Sequence, residues 1–308
     1  MKENSTYHVP VLLMESVGGL SVRSGGIYVD ATFGSGGHSR MILEQLKGKG
    51  HLYSFDHDEA AEKNAFSDPS FTFVRGNFRY LSNYMDWYGV TEIDGILVDL
   101  GVSWHHFDDE NRGFSFRKNA NLDMRMNNRA GITAKEILNS YSEKDLANIL
   151  FYYGELENSK AIARAIVKSR EQKKIETTHD FLEILKPFFN KEKEKKHLAQ
   201  AFQAIRIATN SELDALKEML LQATELLKPG GRFVIISYHS REDILVKHFF
   251  KSGNFDGIVE KDFLYGNINM PFRAINTKVI VPSEEEIKLN PRSRSAKLRI
   301  VEKNGRRK

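Results

Sequence analysis

Short apolar runs that end in, or carry, an acid recur along the first hundred residues. IYVD (27–30) closes on Asp30, HLYSFD (51–56) closes on Asp56, and IDGILVDLG (93–101) carries Asp99. A fourth run, FTFVRG (71–76), follows a turn at Asp68-Pro69. Each is short and rich in aliphatic and aromatic residues, so each reads as a strand. About one helix of sequence separates the first three from their successors, the spacing of a parallel α/β sheet with right-handed crossovers. A fifth strand, GRFVIISYHS (231–240), follows the turn Lys228-Pro229-Gly230-Gly231. Two further runs, RAINTKVIVP (273–282) and AKLRIVE (296–302), predict a terminal hairpin. Ligands of such sheets bind beyond the C-terminal strand ends, where Asp30, Asp56, Asp99 and Ser237–Ser240 fall.

From Asp99 to Arg232 is 133 positions, whereas a βαβ unit needs only about 30 residues. The surplus has helical spacing. Thr133 with Glu136 and Ser142 with Asp145 have the form of capping boxes, and LANILFYYG, SKAIARAIVKS and HDFLEILKPFF continue the helical pattern. RGFSFRKNANLDMRMNNRAG (112–131) is polar and irregular, and KEKEKKH (191–197) reads as a charged loop. These stretches predict an inserted helical domain at 113–205 within a discontinuous domain formed by 1–112 and 206–308. A helix over 201–227 returns the chain, with Ser211 and Asp214 as a third capping box, and Asp243–Phe250 reads as another helix.

Between the first strand and its helix lies ATFGSGGH, with Gly34, Gly36 and Gly37, after which Ser39 opens the helical pattern of RMILEQL. A glycine turn at a helix start lets a ligand meet bare backbone and unpaired N–H groups. The dinucleotide fingerprint fails, because its last glycine position is Ser39. By itself the loop reads either as a ligand cradle or as a plain turn. Asp56, 20 residues after Gly36, is placed to accept from both hydroxyls of a ribose, a device common to NAD and S-adenosylmethionine sites. The incomplete fingerprint, a cofactor that brings no phosphates, and the KPGG turn before an apolar strand favour S-adenosylmethionine. Phe78, after the third strand, reads as an adenine stacker or as a core aromatic.

Composition narrows the setting. The chain has 308 residues, 41% of them hydrophobic, and no cysteine, which excludes disulfides and thiolate zinc sites and fits a reducing, cytoplasmic compartment. Its N-terminus has the pattern of neither a signal peptide nor a membrane span. The net charge of +4 is unevenly placed: −7 over 1–112, +5 over 113–205, −2 over 206–287 and +8 over 288–308. The middle block and tail therefore suit a polyanion, or form a solvated basic surface. The histidines have no convincing metal-ligand spacing, so no metal is expected.

With YHVPVLL (7–13), DATFGSGGHS (30–39), FDHD (55–58), DGILVDLGVS (94–103), RGFSF (112–116), LDMRM (122–126), YGE (153–155), FQAIRIATNSEL (202–213), KPGGRFVIISYHSRED (228–243) and NPRSRSAKLR (290–299) in this order, the chain closely resembles the bacterial 16S ribosomal RNA cytosine-N4 methyltransferases, the RsmH or MraW family, over almost its full length. The resemblance implies a class I S-adenosylmethionine-dependent methyltransferase fold: Rossmann-like, with a mostly parallel seven-stranded sheet and an all-helical insertion that recognises substrate. It implies S-adenosylmethionine as donor and a cytidine in the decoding region of 16S rRNA, on the small ribosomal subunit, as acceptor. Gly36, Gly37 and His38 would contact the methionine moiety, Asp56 the ribose and Phe78 the adenine, with Asp99 at the cofactor's amino group or nearby polar atoms. His106 stands where the family often has Gln, and Trp104 replaces a usual Ser; a cofactor contact at His106 rests on the single hydrogen bond it can donate.

Methylating an exocyclic cytosine amine requires alignment with the methyl group and an acceptor for an N–H. The amine-methylating Asn/Asp-Pro-Pro-aromatic motif is missing after the fourth strand, where Asp99-Leu100-Gly101-Val102-Ser103 stands. Asp99, Tyr238 and His239 are the candidate catalytic residues: Asp99 or a loop carbonyl as acceptor, Tyr238 stacking the base, and His239 bonding the base or taking its proton, or else bracing its loop. Arg112, Arg117, Arg125, Arg129, Arg292 and Arg294 are the candidate RNA contacts. Phe114 and Phe116 either stack bases or pin the insertion to the sheet. The competing classes are a non-catalytic RNA-binding or ribosome-assembly factor that keeps the fold, and an NAD-dependent oxidoreductase. No feature of the sequence distinguishes a monomer from a homodimer.

Overall fold

The computed structural model describes residues 10–101, 112–259 and 270–305. It forms two compact units, Met1–Gly101 with Asp214–Lys308, and Val102–Leu213. Residues 113 and 205 both lie inside the second unit.

The first unit carries one seven-stranded sheet: β1 (Ile27–Asp30), β2 (His51–Asp56), β3 (Phe71–Arg75), β4 (Ile93–Asp99), β5 (Leu227–Ser237), β6 (Phe272–Ala274) and β7 (Lys297–Lys303). Their order is β3-β2-β1-β4-β5-β7-β6. The first five neighbours are parallel, and β7 runs antiparallel to both β5 and β6. This is the mostly parallel, Rossmann-like sheet of a class I methyltransferase. Its strands are near-continuous apolar runs because both faces are covered. Side chains alternate between faces. Val29, Ile96, Val98, Phe233 and Ile235 pack on one side with α4 (Leu81–Trp87), α10 (Glu212–Leu226) and α11 (Ser240–Ser252). Tyr28, Leu97, Val234 and Ile236 pack on the other with α1 (Leu13–Leu20) and α2 (Gly37–Leu46). Two short helices complete the unit, α3 (Glu59–Glu62) and α12 (Glu284–Leu289).

Three readings of this unit change. The KPGG turn lies within β5: Ile93 pairs with Leu227 and Gly95 with Arg232, so three extra residues bulge from β5, with Gly230 at φ 80°. The run 273–282 pairs only through β6 and a single bridge from Ile280 to Leu298. Helix α2 starts at Gly37, two residues before Ser39, because Gly36 takes the left-handed N-cap position at φ 80°.

The second unit is helical: α5 (Ala134–Ser140), α6 (Glu143–Tyr152), α7 (Ser159–Gln172), α8 (Thr178–Leu185) and α9 (Glu194–Asn210) around Leu138, Leu150, Ile162, Phe181, Phe202 and Ile205. Thr133 and Glu136 form the expected capping box of α5, and the Ser142 hydroxyl accepts the Asp145 N–H at the start of α6. The charged run 191–197 is not all loop, since α9 begins at Glu194. The continuous helix read over 201–227 is two helices. Ser211 sits left-handed at φ 49° as the C-cap of α9, a conformation unlike the extended one of an N-cap residue.

Candidate functional site

The acids at the ends of β1, β2 and β4 come together with the glycine loop. Asp56 closes β2, and its two oxygens accept N–H groups from Gly34 (2.9 Å) and Asp58 (2.9 Å). The carboxylate thus holds the loop open from the neighbouring strand. Each of its oxygens retains a lone pair for a further donor, which suits a vicinal diol. Gly36 is confined by the Phe33 and Phe66 rings, which lie 2.8 Å from where a Cβ would sit, and a Cβ on Gly37 would fall 2.1 Å from Pro10. No atom lies within 4 Å of the Cβ position of Gly34. The first N–H groups of α2 have no carbonyl of their own helix to bond, and they suit a ligand carboxylate. These residues fit the amino-acid and ribose parts of S-adenosylmethionine. Phe78 is half-buried and packs against the sheet core.

Asp30 was visible in the sequence only as a strand end; here it is fully buried and organises the loop from below. It accepts the Ser39 hydroxyl at 2.6 Å and the Thr32 N–H at 3.1 Å, and Ser39 in turn meets Ser54 of β2 at 2.8 Å. Burial pushes Asp30 up to about 6, against the pull of the Ser39 and Thr32 bonds. The signal for this network was an acid and a serine at the two ends of the loop, both within otherwise buried elements.

Asp99 ends β4. Its backbone N–H donates to the Thr32 hydroxyl at 2.7 Å, and its Oδ1 accepts the Tyr238 hydroxyl at 2.8 Å. Its Oδ2 lies 4.0 Å from His38 Nδ1, and the side chain stays 23% exposed. Burial, then the charges of Asp30 and Glu242, push Asp99 up to about 7, while the Tyr238 bond opposes them. His38, buried in the first turn of α2, meets the Val11 carbonyl through Nε2 at 3.2 Å. That contact makes Nε2 the protonated nitrogen and leaves Nδ1 bare toward Asp99. Burial lowers His38 to about 4, so it stays neutral at pH 7.

Tyr238 and His239 both have side-chain polar atoms committed within the protein. The Tyr238 ring leans on Gly101, whose Cβ position is 3.2 Å from the ring edge, and its hydroxyl is committed to Asp99. His239 is the N-cap of α11: its Nδ1 accepts the Glu242 N–H at 3.3 Å, and the Glu242 carboxylate accepts N–H groups from Tyr238 (2.9 Å) and His239 (3.3 Å). The lone pair that His239 would use as a base is therefore taken, and the bracing reading fits. The capping-box spacing of His239 and Glu242 was the missed signal.

In the second unit, Arg112 donates to the carbonyls of Arg125 and Met126, the latter at 3.0 Å. Arg125 forks onto Asp123 with two bonds of 2.8 Å. Asn210 grips the same loop, accepting from Met126 N–H at 2.7 Å and donating to the Met124 carbonyl at 2.8 Å. Arg112 and Arg125 thus build the loop that presents them. Arg117 and Arg129 are exposed, as are Arg292 and Arg294 of the first unit. Phe114 is buried and Phe116 meets Phe202 at 5.5 Å, both within the helical unit's own core. His106 and Trp104 lie outside the described residues. No helix among the described residues is long and apolar enough to cross a membrane.

The sequence model of the MraW methylase family matches residues 5–304. Among curated proteins, the chain is 64% identical to the ribosomal RNA small subunit methyltransferase H of Azobacteroides pseudotrichonymphae, over 98% of this chain and 100% of that one. It is 61% identical to the protein of that name from Phocaeicola vulgatus, over 96% and 97%, and 51% identical to that from Flavobacterium johnsoniae, over 98% and 100%.

Proposed function

The chain belongs to the MraW methylase family, and from that premise we propose that it places a methyl group on N4 of a cytidine in the decoding region of 16S rRNA. At the coarser level it is an S-adenosylmethionine-dependent methyltransferase of small-subunit ribosomal RNA, like the relatives it matches. Gly36, Gly37 and His38 hold the methionine moiety, Asp56 the ribose and Phe78 the adenine. When bound, the cofactor supplies an electrophilic methyl group on a sulfonium.

The protein's own task is to make a poor nucleophile act. The cytosine amine shares its lone pair with the ring. An acceptor on one N–H returns electron density to nitrogen and receives the proton as the new bond forms. Asp99 Oδ2 takes this role. The observation that carries the proposal is its placement: at a strand end beside the glycine loop, partly exposed, with Oδ1 already bonded. An acid pushed up to about 7 is well matched to accepting a proton near neutral pH. The cytidine reaches it unstacked from its neighbours. Arg117, Arg129, Arg292 and Arg294 track the RNA backbone from exposed positions, and the helical unit serves substrate recognition. The reaction belongs to the cytoplasm, where the small subunit is made.

The test is methylation of small subunits isolated from a strain lacking the enzyme, using the purified chain and labelled S-adenosylmethionine. One N4-methylcytidine in the decoding region is expected. A chain that binds the cofactor and the subunit yet transfers no label would instead be the assembly factor.

A further inference from the structure

The reading of Asp99 as proton acceptor leaves a question of electrostatics, and the inference drawn here rests on that reading. Four titratable groups face Asp99 from the elements around it. His38 comes from α2, Asp30 from the end of β1, Glu242 from α11 and Tyr238 from the end of β5. Asp30 and Glu242, when ionised, repel a charge on Asp99. His38 is neutral and turns a bare nitrogen toward Oδ2, so it neither neutralises nor donates. Among the described residues, the Tyr238 hydroxyl is the one side-chain donor to the Asp99 carboxylate, at 2.8 Å.

Tyr238 is itself built to serve as this donor. Its N–H is held by Glu242 Oε2 at 2.9 Å, and Glu242 is 3% exposed within the capping box of α11. The ring rests on Gly101, where φ is 109° and a Cβ would crowd it. Burial, with the nearby charges of Asp99, Glu242 and Glu286, pushes the phenol well above its usual range. The hydroxyl therefore keeps its proton throughout the working pH range and faces Asp99 as a donor.

We propose that Tyr238 is a positioning residue for methyl transfer: its hydroxyl fixes Asp99 Oδ1 and holds the carboxylate ionised, so that Oδ2 is the oxygen turned to the acceptor amine. The proton balance follows from the arrangement. Nitrogen would take the methyl group as its bond to the donor sulfonium breaks, the sulfur keeping that electron pair as a neutral thioether; the N–H bond of the amine breaks and the proton goes to Asp99 Oδ2. Tyr238 keeps its own proton, and the ring is not consumed in stacking the base.

The experiment compares wild type, Tyr238→Phe and Asp99→Asn as full chains, in single-turnover methylation of small subunits between pH 5.5 and 9.5. Cofactor affinity is measured by calorimetry in parallel. Wild type should lose rate as pH falls through about 7, where Asp99 takes up a proton. Removing a donor to the ionised form makes Asp99 a weaker acid, so in Tyr238→Phe that acidic limb should move up by about one to two pH units. The variant should be roughly five- to fiftyfold slower at pH 7, within about twofold of wild type at pH 9, and unchanged within about twofold in cofactor affinity. A uniform loss of rate with an unmoved limb would overturn the proposal and make Tyr238 a packing or stacking residue; so would an unchanged profile. Asp99→Asn separates the two levels of the argument: a fast variant that keeps the wild-type limb removes the reading of Asp99 itself, whatever Tyr238 does.

Discussion

Asp99 and Arg125 are both partly buried charges in motif-rich stretches, 23% and 22% exposed, and they end in opposite situations. Asp99 sits where a parallel strand runs out. Its backbone N–H is held by the Thr32 hydroxyl, one carboxylate oxygen is held by Tyr238, and the other is left over. Arg125 sits in an irregular loop with no ladder to hold it, and its guanidinium is spent on Asp123 two residues away. Arg112 shares that fate, bonding the carbonyls of Arg125 and Met126. A regular sheet releases the side chains at its ends for chemistry, whereas a loop without secondary structure draws its polar side chains into holding its own backbone.

The largest expected effect falls on the sheet side of this contrast. Asp56→Ala frees the Gly34 and Asp58 N–H groups and, on the proposed ribose role, removes two contacts to the cofactor, at about 1.5–3 kcal/mol for each bond to a charged group. Cofactor affinity by calorimetry should fall at least a hundredfold. A loss under threefold would take Asp56 out of the ribose role.

Asp30 extends the contrast to an acid with no exposed face. Its folded value near 6 lies about two units above the usual 3.8. Folding therefore favours the protonated acid: its contribution is complete below about pH 4 and is lost as pH rises through 6, roughly 3 kcal/mol in all. Asp30→Asn should flatten the stability profile between pH 4 and 7 in denaturant titrations. A profile equally sloped in both proteins would show that the Ser39 and Thr32 bonds fully offset burial.

On the loop side, Arg112→Ala strands two carbonyls at roughly 1–3 kcal/mol each. It should lower the midpoint of thermal unfolding while leaving cofactor affinity unchanged. Equal stability with weaker RNA binding would move Arg112 back among the RNA contacts.

The smallest effects belong to the exposed arginines. Arg117→Ala and Arg294→Ala should each change stability by under about 0.5 kcal/mol. Each should lower the salt slope of small-subunit binding by about one. An unchanged slope in both would place the RNA path elsewhere.

The sheet and its strand-end acids were legible because short, near-continuous apolar runs and closing acids are local patterns. Gly36 and Gly37 were legible as a loop, but two of the reasons for them, the Phe66 ring and Pro10, come from outside it. What stayed hidden was pairing. The Tyr238 hydroxyl finds Asp99 139 residues away, and Arg112 finds carbonyls 13 and 14 residues on. Neither pattern encodes which side chains will be consumed. Ser211 was misjudged for a related reason: local spacing marks a helix boundary, but the backbone angle, φ 49°, makes it the end of α9 and not the cap of α10.

The most direct test of the central claim, that the strand-end acids form a methyl-transfer site acting on small-subunit RNA, is mass spectrometry of 16S rRNA from a deletion strain carrying wild-type or Asp99→Asn chain. The account expects one N4-methylcytidine in the decoding region to vanish on deletion, return with wild type and stay absent with Asp99→Asn. A mark that persists in the deletion strain, or returns in full with Asp99→Asn, would contradict it.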